Sequence, residues 1–534
     1  MKKHKLFLIF FLAISVIGFS QEDNSNNPSI ELPDFVIVGK QTVSVKKVKK
    51  IPPDFVSSIS DEFIKPSYSA DELKIQEVSA PNLERINIFD STNVFFGSLE
   101  LGIGLYSLPV GSISYLHPFE GGFVRGKAGG NYQRAFDENT ERYSLNGGLD
   151  FSYIFPDNIS FMPGSHISLG TEFKTNAFKL FAGEDPKEKR TINSGNLLFR
   201  IQNLSSENFI YKIQVQDEIT NLSQETFTEN YLSLNGAFKF QSDVIELGIL
   251  TKFDRQFYSD STDKSQDNDL ISIRPFLGIK LGKAARVRIG FTFARSESEK
   301  SNKPYASASI RFNDQLSLFA EYEPDAILFT AGKMLRENDY FNPQIVSAIP
   351  FIKENSFNVS LKYEYDTYFQ LTGGIKYLSG SRFPYFLSSN LKGRFEIAAA
   401  DAKSISAYFD ALYHLGPYGA FYGSLEFNDI REKSTNNFLP YKPIIKSSLH
   451  YTYYFSSAFT AEANLTFHSA RYIDLDNNVE ISPYLSPGVK LNYNISKGFS
   501  GTLELTNLSN NSNYLWKDYK GIPFNLILGV NYNW

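Results

Sequence analysis

The stretch that ends the chain, Phe524-Asn-Leu-Ile-Leu-Gly-Val-Asn-Tyr-Asn-Trp534, alternates between apolar and polar residues. Its apolar positions are Phe524, Leu526, Leu528, Val530, Tyr532 and Trp534. The positions between them are polar or small, with Ile527 as the one apolar exception. A period of two places successive side chains on opposite faces of a β-strand. The stretch therefore predicts a strand with one apolar face and one polar face.

Three other stretches, within residues 245–254, 357–366 and 459–468, repeat this alternation. Their apolar positions are Ile245, Leu247, Ile249, Phe253, Phe357, Val359, Leu361, Tyr363, Tyr365, Phe459, Ala461, Ala463, Leu465 and Phe467. A soluble β-sandwich also alternates. Here, however, the polar face carries full charges such as Glu246, Lys252 and Glu364 in mid-strand, and the apolar face ends in aromatic residues. A watery lumen and an outer belt with aromatic girdles explain both features, so we predict a membrane β-barrel.

Composition limits what the protein can do. The chain has 534 residues, is 42% hydrophobic, 15% aromatic and 21% charged, and contains no cysteine. Disulfide scaffolds, cysteine-ligated zinc sites and thiol enzymes are therefore excluded. The formal charge of -5 provides no basic footprint for nucleic acid, so we expect no nucleic-acid partner.

The first twenty residues predict a compartment. Lys2, Lys3 and Lys5 precede an apolar run over 6–19, and Gly18 and Ser20 are small residues at cleavage-site spacing. We interpret 1–20 as a secretory signal peptide. The alternative, a membrane anchor, needs a run of about 20 residues. With no later run long enough for a membrane helix, a chain exported this way and built of alternating strands is expected in the outer membrane of a Gram-negative cell.

Turn signals divide residues 94–534 into about 22 strands, with a range of 18–24. Short turns are expected at Ser242-Asp243, Gly282-Lys283, Asn313-Asp314, Ser456-Ser457 and Lys497-Gly498, and longer loops at 136–141, 183–191, 259–267, 296–303, 429–441 and 470–480. Alternating short turns and long loops are typical of outer-membrane barrels. Pro324-Asp325 and Asp401-Ala402 are either turns or kinks.

One hairpin allows a register prediction. Phe455 and Phe459 should both face lipid, so they should pair across the turn. His450 then lies opposite Asn464, and His468 lies opposite Lys446.

Three segments resemble TonB-dependent outer-membrane receptors. The C-terminal one runs from Leu505-Thr-Asn-Leu-Ser-Asn510 through Tyr514 and Pro523 into the last strand. The middle one is Asn342-Pro343 with Glu354 and the strand that follows, and the third is Leu439-Pro440 with Pro443. The resemblance covers most of 94–534 and implies a large barrel that transports a solute. Lumen carboxylates such as Glu246, Glu364 and Glu462 converge with no nucleophile in the sequence, so we expect no enzyme.

The N-terminal extension, residues 21–93, is predicted to be irregular and periplasmic. Residues 31–39 resemble a TonB box, a segment that adds a strand to a partner's sheet. The residues expected to bind that partner are Asp34, Phe35, Val36, Ile37, Val38 and Gly39. A strand packed in the barrel mouth and a plain linker are the alternatives. About 55 residues separate Gly39 from Val94, too few for the plug domain that the resemblance implies.

No motif for catalysis, a cofactor or a metal emerges. His450 and His468 lie about four pairs apart in the predicted hairpin, more than 10 Å, and cannot share a metal. The stretch from Asp474 to Asn478 resembles the start of a calcium loop but lacks its glycine and glutamate.

Uptake or passage of a solute is therefore the leading expectation. A structural or assembly component that docks a periplasmic partner through its extension is the alternative. Membrane lipid is an expected partner, and the barrel-insertion machinery should read the apolar face of the last strand, Phe524 to Trp534.

Overall fold

The computed structural model describes residues 95–534, apart from 157, 159–161, 204–207, 226, 260–264, 283, 344–347 and 366–367. The predicted signal peptide, the N-terminal extension and the TonB-box-like segment with Asp34 to Gly39 lie outside the described residues. The residues that would show whether a plug domain is present also lie outside the described residues.

Twenty-seven strands run through the described part of the chain. The first twelve are β1 (Gly97–Gly104), β2 (Ser107–Phe119), β3 (Gly122–Gln133), β4 (Arg142–Ile154), β5 (Ser165–Lys179), β6 (Lys189–Asn203), β7 (Phe209–Leu222), β8 (Phe227–Gln241), β9 (Ile245–Ser259), β10 (Ser265–Leu281), β11 (Ala285–Ser296) and β12 (Lys300–Arg311). The next eight are β13 (Leu316–Tyr322), β14 (Asp325–Thr330), β15 (Ala348–Tyr365), β16 (Phe369–Ser388), β17 (Phe395–His414), β18 (Ala420–Glu432), β19 (Ile445–Tyr454) and β20 (Phe459–His468). The last seven are β21 (Arg471–Tyr472), β22 (Glu480–Ile481), β23 (Tyr484–Ser496), β24 (Phe499–Thr506), β25 (Tyr514–Trp516), β26 (Tyr519–Lys520) and β27 (Asn525–Asn533).

These strands form a closed antiparallel barrel. Sequence neighbours pair throughout, and β1 closes the sheet against β27 from Ser98 opposite Asn533 to Gly104 opposite Ile527. β13 and β14 both pair with β15 and together occupy one position in the wall. β21 with β22, and β25 with β26, form two small hairpins apart from the main sheet. The barrel therefore has 22 strands, which confirms the predicted fold class and count.

The two ambiguous sites in the middle of the chain have different outcomes. Pro324 separates β13 from β14 and has no N–H to donate to the ladder, so the strand breaks there. Asp401-Ala402 lies within β17 and is not a turn. A register shift in β15 between Lys353 and Asn355 accompanies the break.

Connections differ at the two ends of the barrel. We call the end with Gly97 and Asn533 the terminal end and the opposite one the loop end. Every predicted short turn falls at the terminal end, and every predicted long loop falls at the loop end. The predicted loop 296–303 is shorter than expected, because β11 and β12 extend into it and leave 297–299 between them. The predicted hairpin register is confirmed: His450 pairs with Asn464 and Lys446 with His468.

The two faces of the barrel wall carry different side chains. In β15 the outward Phe357, Val359 and Leu361 are exposed, whereas Ser360 and Lys362 between them are buried on the lumen side. Aromatic side chains gather on the outward face at the terminal end, for example Phe455 and Phe459 with ring centroids 5.1 Å apart. The predicted lipid-facing belt and polar lumen are thereby confirmed for this wall.

Helix is scarce in the described residues. α1 (Ala331–Glu337) lies between β14 and β15, and a short 3₁₀ turn spans Gly416–Tyr418. No helix among the described residues is long and apolar enough to cross a membrane.

Candidate functional site: the lumen and its cover

Residues 323–343, which we call the inward segment, remain joined to the barrel wall through β14 and fill one side of the lumen. β14 keeps its pairing with β15 but also contacts the inner face of β10 and β11. Ser272 Oγ donates to Asp325 Oδ1 at 3.1 Å, and Arg274 NH2 donates to the carbonyl of Pro324 at 3.3 Å. Arg274 also forms a buried ion pair with Glu323. Charged residues of the wall thus hold the inward segment.

α1 continues the inward segment and is attached to β8. Thr330 caps the helix by accepting a hydrogen bond from Lys333 N. The Gly332 N–H donates to Glu229 Oε1 at 2.8 Å, and Lys333 Nζ donates to the Tyr231 hydroxyl at 3.1 Å. A Cβ on Gly332 would lie 2.6 Å from Glu229 Oε1, so the close approach requires glycine. α1 is therefore fixed in place by polar groups of the barrel wall.

The lumen face behind the inward segment carries buried charges. Lys252 Nζ lies 3.1 Å from Asp254 Oδ2, and Asp254 accepts a hydrogen bond from Ser233 Oγ at 2.7 Å. Nearer the terminal end, Glu246 is fully buried and lies 3.0 Å from Arg288 Nε and 3.2 Å from Arg286 NH2. Isolated charges cannot stay in such positions, which is why these groups occur in clusters.

The opposite wall, formed by β1–β4, β19, β20, β23, β24 and β27, leaves its lumen side chains partly exposed. Arg125 pairs with Asp150 there at 2.6 Å, with both side chains about one quarter exposed at 28% and 23%. Ser112 Oγ donates to Glu100 Oε2 at 3.2 Å. Considering the described residues alone, the lumen is filled on the side of β8–β15 and open and polar on the other side.

Several loops meet over the loop end and form what we call the cover. It comprises residues 180–188, 389–394, 433–444, 469–483 and 507–524, together with 338–343 at the end of the inward segment. Its centre is aromatic: the Trp516 ring lies 4.9 Å from Tyr441 and 5.2 Å from Phe395, and Tyr340 stacks on Tyr519 with centroids 3.4 Å apart. These residues belong to one buried apolar cluster that also includes α1 side chains. The cover and the inward segment thus form one packed unit.

A buried arginine connects the cover to the barrel wall. Arg190, at the loop end of β6, is 1% exposed, and its Nε donates to Glu225 Oε1 at 2.8 Å. Its NH1 donates to the carbonyls of Asp339 and Phe341 at 2.9 and 2.8 Å. Arg394 NH1 donates to the same Glu225 oxygen at 3.0 Å. We call Arg190, Glu225 and Arg394 the clasp, because these three side chains join four loop-end segments.

Burial also affects the titration of the cover. It raises the pKa of the Tyr340 hydroxyl to about 12, and burial together with the neighbouring Tyr340 raises the pKa of Tyr519 above its ordinary value. Both phenols are therefore neutral at physiological pH. Tyr519 Oη donates to the carbonyl of Gly393 at 2.6 Å, which requires the protonated form.

The structure places the predicted C-terminal face on the outside of the barrel. Leu528, Val530, Tyr532 and Trp534 are 54%, 42%, 47% and 40% exposed, whereas Asn525 on the opposite face is 3% exposed. The Trp534 ring lies against Gly97, where an added Cβ would come within 2.2 Å of it. The last residue therefore contacts the first strand at the seam. Whether Phe524 to Trp534 form an insertion signal stays a prediction.

The described loops give no support for a metal-binding site. Among the described residues, no three His, Asp or Glu side chains are placed to hold a metal ion. Asp474, the first residue of the calcium-loop-like stretch, accepts hydrogen bonds from the backbone N–H groups of Asn478 and Val479 at 3.0 and 2.8 Å. Its carboxylate therefore closes its own loop.

Sequence reasoning did not find the inward segment or the clasp. Pro324 was a visible signal, because a proline inside a strand pattern indicates an edge or a break. Nothing in the sequence marks Arg190, since its partners lie 35 to 151 residues away.

Comparison with known proteins identifies the fold. No family model matches the sequence, and curated proteins yield no match. Solved structures do match. The pyoverdine outer membrane receptor FpvA from Pseudomonas aeruginosa PAO1 has a TM-score of 0.60 at 12% identity, over 83% of this chain and 79% of that one. The siderophore receptor PiuA from Acinetobacter baumannii has 0.59 at 10%, over 83% and 82%. The copper transporter OprC has 0.60 at 12%, over 83% and 80%. The chain thus has the closed 22-stranded outer-membrane barrel fold that its resemblance to TonB-dependent receptors led us to expect.

Proposed function

We propose that the protein takes up a solute across the outer membrane through a lumen that its own loops cover. The observation that carries this proposal is the combination of a polar, partly open lumen wall with an aromatic cover that ion pairs and hydrogen bonds join to the barrel. Water can replace such polar contacts when the cover moves, because the cover lies beyond the lipid belt. Neighbours in structure that are described as receptors for siderophores and as a copper transporter support the transport class. They do not identify the solute.

The proposed orientation places the terminal end, with the N-terminal extension, in the periplasm and the cover outside the cell. Asp34 to Gly39 would add a strand to a TonB-type protein there. The lipid contacts would be made by the outward apolar face. The insertion machinery would read the face from Phe524 to Trp534.

Conductance of the purified full chain in a planar bilayer tests the proposal. We expect low conductance for the native protein and more frequent openings when the clasp is removed by Arg190→Ala. The matched control is Arg311→Ala, which removes a surface ion pair at the terminal end. The cover of this variant should stay closed. If Arg190→Ala is folded and its cover is open, yet it conducts no ions, the lumen is not a pathway and uptake is refuted.

The alternative, a structural or assembly component, is supported by the same cover and inward segment, since both narrow the lumen. In that case the N-terminal extension would dock a periplasmic partner. Deleting residues 31–50 distinguishes the two proposals. Loss of a co-purifying periplasmic protein without any change in solute uptake favours the structural role. Loss of uptake with the barrel still abundant favours transport.

A further inference from the structure

Six cations line the lumen at the terminal ends of five strands, β6, β7, β8, β10 and β11. Each lies within three residues of the terminal end of its strand, or about 10 Å at the usual rise per residue. We call them the cationic band, and its members are Arg200, Lys212, Lys239, Lys280, Arg286 and Arg288.

The alternation of the strands directs the band into the lumen. Lys239 and Arg286 are 3% and 7% exposed. The residues beside them in sequence, Phe240 and Val287, are 55% and 39% exposed on the outward face. Register places Lys280 opposite Arg286, and Gly278 opposite Arg288. Lys239, Lys280, Arg286 and Arg288 are therefore neighbours around Glu246, and Arg200 and Lys212 extend the patch on β6 and β7.

Glu246 lies among these charges, and the buried Glu321 on β13 also acts on Arg288. Glu246 is 3.0 Å from Arg288 Nε, 3.2 Å from Arg286 NH2, 3.8 Å from Lys239 Nζ and 4.0 Å from Lys280 Nζ. Gly278 makes room for this cluster, because a Cβ there would lie 2.8 Å from Glu246 Oε2. Glu246 and Glu321 supply two negative charges against six cations, so the band is net positive.

A positive patch of this kind attracts anions strongly. Charges interact more strongly away from bulk water, and walls of low dielectric focus their field into the cleft. Guanidinium groups bind carboxylate and phosphate oxygens through charge-assisted hydrogen bonds. The opposite wall differs, since its Arg125 pairs with Asp150 at 2.6 Å, whereas four cations of the band share Glu246.

We infer that the cationic band is an anion-binding site that takes a phosphate or carboxylate group. That this anion belongs to a transported solute rests on the proposed uptake function, whereas binding itself does not. The site lies at the terminal end, so a solute would meet it after passing the cover and before leaving the barrel.

Titration of the full chain in detergent with pyrophosphate and with citrate, at ionic strength held constant with chloride, tests the inference. We expect saturable binding of at least one of them. Lys280→Gln combined with Arg288→Gln should weaken it about a hundredfold, roughly tenfold for each lost cation. Arg125→Gln, on the opposite wall, is the matched control and should bind like the native protein. Heat-modifiable gel migration shows that each variant is folded.

Glu246→Gln provides a test of opposite sign. It removes the negative charge and should tighten anion binding about tenfold, which damage to the fold would not do. Absence of binding to both probes, or equal loss in the Arg125→Gln control, overturns the inference. Anion binding in a protein that conducts no ions when its cover is open would refute the proposed uptake and leave the anion site standing.

Discussion

Replacing Arg190 by alanine should destabilise the closed cover. The guanidinium is 1% exposed and bridges Glu225 to the carbonyls of Asp339 and Phe341. Removing one partner of a buried ion pair typically costs about 3–5 kcal/mol. Glu225 keeps Arg394 at 3.0 Å, so we place the loss near the lower bound, at about 3 kcal/mol. This corresponds to an opening equilibrium about 150-fold more favourable.

Hydrogen exchange measured by mass spectrometry on the protein in lipid vesicles reads this opening directly. Exchange in α1 and in residues 338–343 should accelerate about as much as the opening equilibrium shifts, while the β-strands of the barrel remain protected. The fluorescence of Trp516 should become accessible to a polar quencher at the same time. Trp516 is one of only two tryptophans, so a Trp534→Phe background isolates its signal.

Two further variants calibrate the result. Arg311→Ala removes a pair with Asp314, whose side chain is 99% exposed, and should change exchange little because surface pairs contribute about 0–1 kcal/mol. Tyr519→Phe removes a single hydrogen bond to the Gly393 carbonyl and should accelerate exchange about fivefold, for a loss of about 1 kcal/mol. Exchange in the Arg190→Ala cover within twofold of the native rate would refute the assignment of the clasp.

Three other outcomes are expected. Leu528→Arg, on the outward face, should reduce the free energy of folding into vesicles by about 2–4 kcal/mol. Asn531→Arg, on the lumen side of the same strand, should reduce it much less. Equal losses would contradict the assigned faces. The raised pKa values of Tyr340 and Tyr519 mean that the closed cover binds more protons than the open one. Their contribution to the stability of the closed cover should be complete below about pH 10 and decrease as the pH rises through about 12, as tyrosinate absorbance and tryptophan fluorescence would show. Val36→Pro should abolish energy-dependent uptake at unchanged barrel abundance if the segment pairs with a partner strand, and uptake at the native rate would exclude that pairing.

Local chemistry was enough to predict the barrel. Alternation is a property of neighbouring residues, and a strand that faces lipid on one side and water on the other needs it in every segment. Turn residues marked the strand ends closely enough for a count of 22, and one pair of phenylalanines was enough for the register of the β19–β20 hairpin. Each of these inferences used residues that are close in sequence and a solvent that differs on the two sides of the wall.

What fills and closes the barrel depended on the tertiary structure. Pro324 signalled an irregularity, but only the fold shows that the chain there turns into the lumen and carries α1 to Glu229, 103 residues away from Gly332. Arg190 meets Phe341 across 151 residues of sequence, and the cationic band collects side chains from five strands. A charged residue on a lumen face has the same local pattern whether it meets water, a counter-ion or another cation. Its role follows from which strands closure brings beside it, and closure is a property of the whole barrel.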